Sequence, residues 1–234
     1  MASQPKSEIR KEQILQAAMK IFAHKGFHDA TISDVAREAK VSDATIYEYF
    51  SSKEELLFSI PGETTRKHKE ETESILEFLR GAADKIRCII HRYFWVFENN
   101  PDYASVTMLI LKQNRKFLEM PAYRDVQDLS RLVLRIIKEG MATGEFRADI
   151  NPYLVRSAIL GTIEHLVIRR ILLGKPENLI DCSEQLADLI IMGIVSPKEE
   201  KVWNFRITMD PDAKSEKSQP PSGQKRKHST PQKS

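Results

Sequence analysis

The sequence predicts an all-α protein, with a three-helix N-terminal unit followed by a larger helical body. Three observations carry that reading. Apolar residues recur at helical spacing, caps and Pro or Gly stops punctuate the chain, and few segments alternate as strands would. With 234 residues and 41% hydrophobic side chains, the chain has ample material for a packed core.

Taken in order, Ile14, Leu15, Ala18, Ile21 and Phe22 form a one-sided helix that stops near Gly26, a residue type that accepts the left-handed conformation of a helix end. Thr31 stands three before Asp34 in a capping-box pattern, and Ile32, Val35, Ala36 and Ala39 then share one face. Lys40 and Val41 make a turn. Ser42 is an N-cap, Asp43 suits the positive end of the next helix, and Ile46 and Phe50 face the core, leaving Ala44, Thr45, Glu48 and Tyr49 outward. Ser52 with Glu55 is a further capping box, which sets Lys53 beside free backbone N–H groups where a phosphate can be met. Two short helices joined by a tight turn make a helix-turn-helix, whose second helix is built to enter a DNA major groove.

Beyond it, a long helix from Lys53 meets Pro61-Gly62 and resumes through Leu79. A kink or break is expected there, either a plain boundary between helices or a hinge for a ligand signal. Further helices run from Ala82 to Glu98, from Pro101 behind an Asn100 cap, from Pro121 to about Gly144, and over 152–173 behind an Asn151 cap. The last starts near Asp181, with Glu184 completing its cap. Leu154, Ala158, Gly161, His165, Ile168 and Leu172 line one side of the 152–173 helix, and Leu186, Leu189, Ile190, Gly193 and Ile194 recur along the last. That is more apolar surface than one core face uses, which suggests subunit association; two interior helices of a monomer is the other reading.

The net charge is only +3, and residues 197–234 hold nine Lys or Arg against five Asp or Glu, leaving the first 196 residues at −1. DNA affinity must therefore rest on a local stripe, for which Lys6, Arg10, Lys11, Arg37, Lys40 and Lys53 are candidates. The Lys-, Ser-, Pro- and Gln-rich tail is expected to be disordered. Two cysteines, Cys88 and Cys182, give no disulfide framework, the start MASQPKSEIRKEQ lacks an apolar signal segment, and no apolar run spans a bilayer. A reduced cytoplasm fits.

The run AAMKIFAHKGFHDATISDVAREAKVSDATIYEYFSSKEELL resembles the DNA-binding domain of TetR-family transcriptional regulators, joining Phe22, Gly26, Phe27, the Thr31 cap, the Tyr47-x-x-Phe50 pair and Lys53-Glu54 at fixed offsets. The resemblance implies an all-helical homodimer, paired through its last two long helices, that binds a double-stranded operator and a small effector. It also implies phosphate contacts from Thr31, Tyr47 and Lys53, and base contacts from Thr45 and its neighbours Ser42, Ala44, Glu48 and Tyr49. Glu48 and Asp43 place carboxylates where phosphates repel them; they serve either as base acceptors or as solvated charges.

An effector is expected between the middle helices, among Phe94, Trp95, Phe97, Met108, Leu111, Ile137, Met141 and His165, with Arg92, Lys112, Arg115, Lys116, Arg169 and Arg170 available to an anion. The segments TMLILKQNRKF and IIKEGMATGEFRADINPYLVRSAILGTIEHL resemble, more loosely, acyl-CoA-responsive regulators of fatty-acid degradation. No cofactor is called for. Walker, G-x-G-x-x-G, H-E-x-x-H and G-x-S-x-G motifs are missing, and Cys88 with His91 lacks the second close pair of a zinc site. The domains expected are residues 1–52, the reading head; 53–196, for effector binding and dimerisation; and 197–234, the basic tail. The reading is a repressor released by a small hydrophobic or acyl-type effector, with no membrane partner. A ligand-binding or enzymatic bundle and an architectural DNA-binding protein are the alternatives.

Overall fold

The computed structural model describes residues 6–197. The expectations for the tail from residue 198 onward lie outside the described residues. Helix α1, Lys6–Asp29, carries Gly26 at φ 77° and ψ 160°, so the expected stop is a kink three residues before the helix end. Helix α2, Ile32–Ala39, starts on the expected capping box: Thr31 Oγ1 accepts from the Asp34 N–H at 3.1 Å, and the Thr31 N–H donates to Asp34 Oδ2 at 3.1 Å. Lys40 closes α2 at φ 56°. Ser42 Oγ then caps α3, Asp43–Tyr49, by accepting from the Thr45 N–H at 3.1 Å.

Ser52 Oγ caps α4, Lys53–Leu76, through the Glu55 N–H at 3.0 Å. Here the expected box is only half formed, because the Glu55 carboxylate accepts from the Ser51 N–H at 2.7 Å instead of reaching back to Ser52. The break expected at Pro61-Gly62 is not found either, since α4 runs through Pro61 as one helix and ends at Leu76 instead of Leu79. An interior proline costs about 3 kcal/mol, which packing on both sides of it offsets. Leu56, Leu57, Phe58 and Ile60 are buried before it, and after it Thr65 Oγ1 shares a hydrogen bond of 2.8 Å with Tyr103 Oη, while Leu76 is buried in the body.

The body comprises α5 (Ala82–Asn99), α6 (Pro101–Ser105), α7 (Pro121–Ala142), α8 (Pro152–Leu173) and α9 (Ser183–Ile194). A π-helical turn, Val106–Leu111, continues α6, and a 3-10 turn, Phe117–Glu119, precedes α7. Two expected caps are absent. The Asn100 amide donates back to Val96 O at 2.8 Å, finishing α5 instead of opening α6. Asp181 accepts from the Asn178 amide and Glu184 pairs with Arg87, so α9 starts at Ser183 without a side-chain cap. Asn151 does cap α8, accepting from Tyr153 N–H and Leu154 N–H.

Because Gly81 offers no side chain, the first turn of α5 is capped from a distance. Glu145 takes the N–H groups of Ala82 and Ala83 at 2.6 and 2.9 Å, placing a carboxylate at the positive helix end. The adjacent Phe146 ring lies over Gly140, where an added Cβ would run into Phe146 Cδ2 and meet Ala82 Cβ at 2.7 Å. Gly140→Ala is therefore expected to lower stability by about 1–3 kcal/mol, read as a reduced denaturant midpoint; an unchanged midpoint contradicts this packing.

Two apolar cores result. One joins α1–α3 to the start of α4 through Ile14, Phe22, Val35, Ile46, Phe50 and Leu57. The other fills the body around Ile86, Ile90, Phe94, Val133, Ile137 and Ile163. Val106, Leu111 and Phe117 belong to the first core, although the chain reaches them only after α6. The segment after α6 therefore packs directly against the reading head.

Candidate nucleic-acid interface and effector cavity

On α3, Ile46 is buried, and Phe50 just beyond the helix is buried with it. Rotation by about 100° per residue then leaves Ala44, Tyr47 and Glu48 exposed, Tyr47 by 55%, together with Ser42 before the helix. Thr45 is half-buried, its hydroxyl 2.9 Å from Ser42 Oγ, and Tyr49 is half-buried with its ring 6.5 Å from that of Phe50. Of the residues expected outward, Tyr49 is thus turned partly into the core. Asp43 accepts from Ser33 Oγ, which ties α3 to α2.

Of the two other phosphate candidates, Thr31 is exposed but its hydroxyl donates to Asp34 at 2.9 Å. Hydrogen bonds from Lys25 and then Thr31 hold the Asp34 carboxyl well below the usual carboxylate range. Lys53 lies where the sequence places it, at the first position of α4, but its ammonium points inward. It donates to Phe27 O at 2.7 Å, Ala30 O at 2.9 Å and His28 O at 3.4 Å, and sits 4.5 Å from the Phe27 ring centroid. Phe27 and His28 belong to the last turn of α1 and Ala30 follows it, and a cation there completes the helix terminus. Lys6, Arg10, Lys11 and Lys40 are exposed, whereas Arg37 pairs with Asp34.

A cavity of about 530 Å³ opens between α4, α5, the π-helical turn, α7 and α8. Thr65, His68 and Thr72 line it from α4, and Ile89, Arg92, Tyr93, Val96 and Phe97 from α5. Tyr103, Thr107, Met108, Lys112, Phe117 and Leu118 follow, then Tyr123, Val126, Gln127 and Arg131 from α7, and Arg156, Leu160, Ile163 and Glu164 from α8. Its apolar walls thus carry polar groups at separate points. Burial pushes the Tyr93 and Tyr103 phenols up, keeping both neutral, and pushes the His68 imidazole down. Arg92 donates to Glu71 at 2.7 Å, its guanidinium lies 4.8 Å from the Trp95 ring centroid, and its Nε is buried without a partner.

Among the expected effector residues, Arg92, Phe97 and Met108 line this cavity, as does Lys112. The rest fall elsewhere. Phe94 and Ile137 are fully buried in the body core, and Met141 packs against that core. Leu111 belongs to the reading-head core, and Trp95 lies beneath Arg92. Arg115 is exposed outside the lining, and His165 and Arg169 are exposed on α8. Of the α5 residues expected at the effector, Arg92 and Phe97 face the cavity and Phe94 and Trp95 do not line it. Phe94 follows Tyr93 by about 100° of rotation, so Ile86, Ile90 and Phe94 lie wholly within the core, while Ile89, Tyr93, Val96 and Phe97 form the part of its edge that lines the cavity.

Among the described residues, no group of three His, Cys, Asp or Glu could hold a metal ion, and no helix is long and apolar enough to cross a membrane. His91 Nδ1 lies 3.3 Å from Ser183 Oγ, while His165 is exposed on α8.

Residues 14–60 match the family described as bacterial regulatory proteins, tetR family, and residues 64–193 match the C-terminal region of YsiA-like proteins. The chain belongs to the TetR family of regulators. A curated relative within reach, the fatty acid metabolism regulator protein of Bacillus subtilis (strain 168), is 29% identical over 182 residues, covering 78% of this chain and 94% of that one. The transcriptional repressor KstR2 of Mycolicibacterium smegmatis is 24% identical over 203 residues, covering 85% and 96%. Among solved structures, the fatty acid degradation regulator FadR of Bacillus halodurans is 25% identical with a TM-score of 0.74, covering 82% of this chain and 98% of that one. FadR of Bacillus subtilis in complex with stearoyl-CoA is 27% identical with a TM-score of 0.70, covering 78% and 98%. As a family member, the chain is a helix-turn-helix transcriptional regulator, and these relatives are named for regulation, not for catalysis.

Proposed function

We propose that this TetR-family chain is a dimeric cytoplasmic repressor, released from its operator when an acyl-type amphiphile, such as a long-chain acyl-CoA, fills the cavity. The observation that carries the reading is a shared segment. Thr107, Met108, Lys112 and Phe117 line the cavity, while Val106, Leu111 and the same Phe117 are buried in the reading-head core. A ligand that displaces this segment shifts the ground on which the reading head sits, and it acts to the extent that it prefers one arrangement of the two heads. The stearoyl-CoA held by the Bacillus subtilis relative supports the choice of ligand class.

The outer faces of α8 and α9, where Leu154, Leu172, Leu189 and Met192 are exposed in the single chain, support dimerisation. Residues 1–52 act as reading head and 53–196 as effector and dimerisation region. In DNA binding, Tyr47 is assigned to phosphate and Thr45, Ala44 and Glu48 to base edges. Lys53 contacts phosphate only if it leaves the carbonyls of α1.

A thermal-shift titration tests the effector half: palmitoyl-CoA at a hundred times its Kd adds about 2.7 kcal/mol to folded-state stability. An unmoved midpoint across acyl chain lengths rejects the ligand class. For the DNA half, Tyr47→Ala is expected to weaken binding to all sequences alike, by about tenfold for each head, whereas Thr45→Ala changes which sequence is preferred. Fluorescence anisotropy on a panel of duplexes separates the two, and the same loss of preference in both variants contradicts these roles.

A further inference from the structure

Four cationic side chains line the cavity, and three of them pair with no carboxylate of the lining. Arg92 is held by Glu71 and Trp95, Arg131 by Asp128, and Arg156 lies 5.7 Å from the Tyr153 ring centroid. Lys112 differs. Its partner is Glu164, the only carboxylate among the described lining residues, and both side chains are about one third exposed. Lys112 also ends the π-helical turn, its N–H donating to Thr107 O at 3.1 Å. The pair therefore fastens the turn that carries Val106 and Leu111 into the reading-head core to α8, the helix that bears the outer apolar face.

We propose that Lys112 reads an anionic group on the effector and that Glu164 is its built-in competitor: an incoming carboxylate or phosphate takes Lys112 from Glu164 and unfastens the π-helical turn from α8. This rests on the reading of the cavity as the effector site. A partly exposed ion pair is open to exchange, so an anion delivered by a buried alkyl chain at high effective concentration competes with Glu164 for Lys112. Filling the cavity is then not sufficient for release. A neutral lipid of equal length binds without unfastening the pair.

The test uses the full chain and a DNA fragment selected by the wild-type protein from a random pool. Without any ligand, Glu164→Gln is expected to bind that fragment about five- to tenfold more weakly while binding palmitoyl-CoA as tightly as the wild type or tighter. Lys112→Met, which keeps an apolar stem, is expected to show the same loss on DNA together with about tenfold weaker palmitoyl-CoA binding. On the wild type, palmitate and palmitoyl-CoA release the DNA and 1-hexadecanol does not; release by palmitoyl-CoA alone assigns the anion to the coenzyme phosphates. Wild-type DNA affinity in Glu164→Gln, or release by hexadecanol as complete as by palmitate, overturns the proposal. Absence of a thermal shift with all three ligands rejects the cavity as the effector site, and the ligand-free DNA affinity of Glu164→Gln still reports on the fastening.

Discussion

Leu189→Glu is expected to split the protein into monomers and to lower operator affinity by a factor on the order of 10² to 10⁴. Leu189 is 72% exposed on α9, beside Met192 at 75%, so within one protomer the change replaces one solvated side chain by another and the fold is retained. In a dimer built on this face the carboxylate is buried without a partner, and an uncompensated charge in an interface costs several kcal/mol. A monomer then offers one reading head to a two-part operator, and the second contact no longer forms within the same molecule. Light scattering reads the mass and anisotropy reads the DNA. A Leu189→Glu protein that stays dimeric and binds as the wild type places the dimer contact elsewhere.

Phe117→Ala is expected to lower folding stability by about 3–5 kcal/mol and to blur the response of DNA binding to effector. Phe117 is 2% exposed, its ring lies 5.8 Å from Phe58 on α4 and 5.6 Å from Tyr123 on α7, and it both closes the reading-head core and lines the cavity. Among the described aromatic side chains it is the one buried member of that core that also lines the cavity; Tyr123, partly buried, packs against the core and shares the lining. Should the alanine variant be too unstable to handle, Phe117→Leu keeps the site filled at about 1.5 kcal/mol or less and isolates the coupling: effector still binds, but the loss of DNA affinity that it causes shrinks. A denaturant curve at the wild-type midpoint for Phe117→Ala, with full effector release in Phe117→Leu, contradicts the bridging role.

The reading head was legible because its signals are local. Thr31 with Asp34 and Ser42 with Thr45 each settle a helix start within three residues, and the periodicity of Ile46 and Phe50 then orients α3. What escaped depends on contacts far along the chain. Glu145 caps α5 from more than sixty residues away, and no property of Gly81 or Ala82 announces it. Pro61 reads as a break in isolation and is carried within α4 because two cores hold the helix on either side. Lys53 reads as a surface cation, yet the last turn of α1 and Ala30 after it offer it three carbonyls. The cavity shows the same limit: α5 is apolar on two adjacent stripes, and only the placement of α7 and α8 decides which becomes core.

If α3 is borne in pairs to successive grooves of one duplex, footprinting the full chain on a DNA fragment selected from a random pool will reveal it. The expected result is a protected palindrome whose half-site centres lie one or more helical turns apart, about 10 base pairs for each turn, with protection lost in Tyr47→Ala. A single unpaired protected site, or no preferred sequence at all, would contradict it.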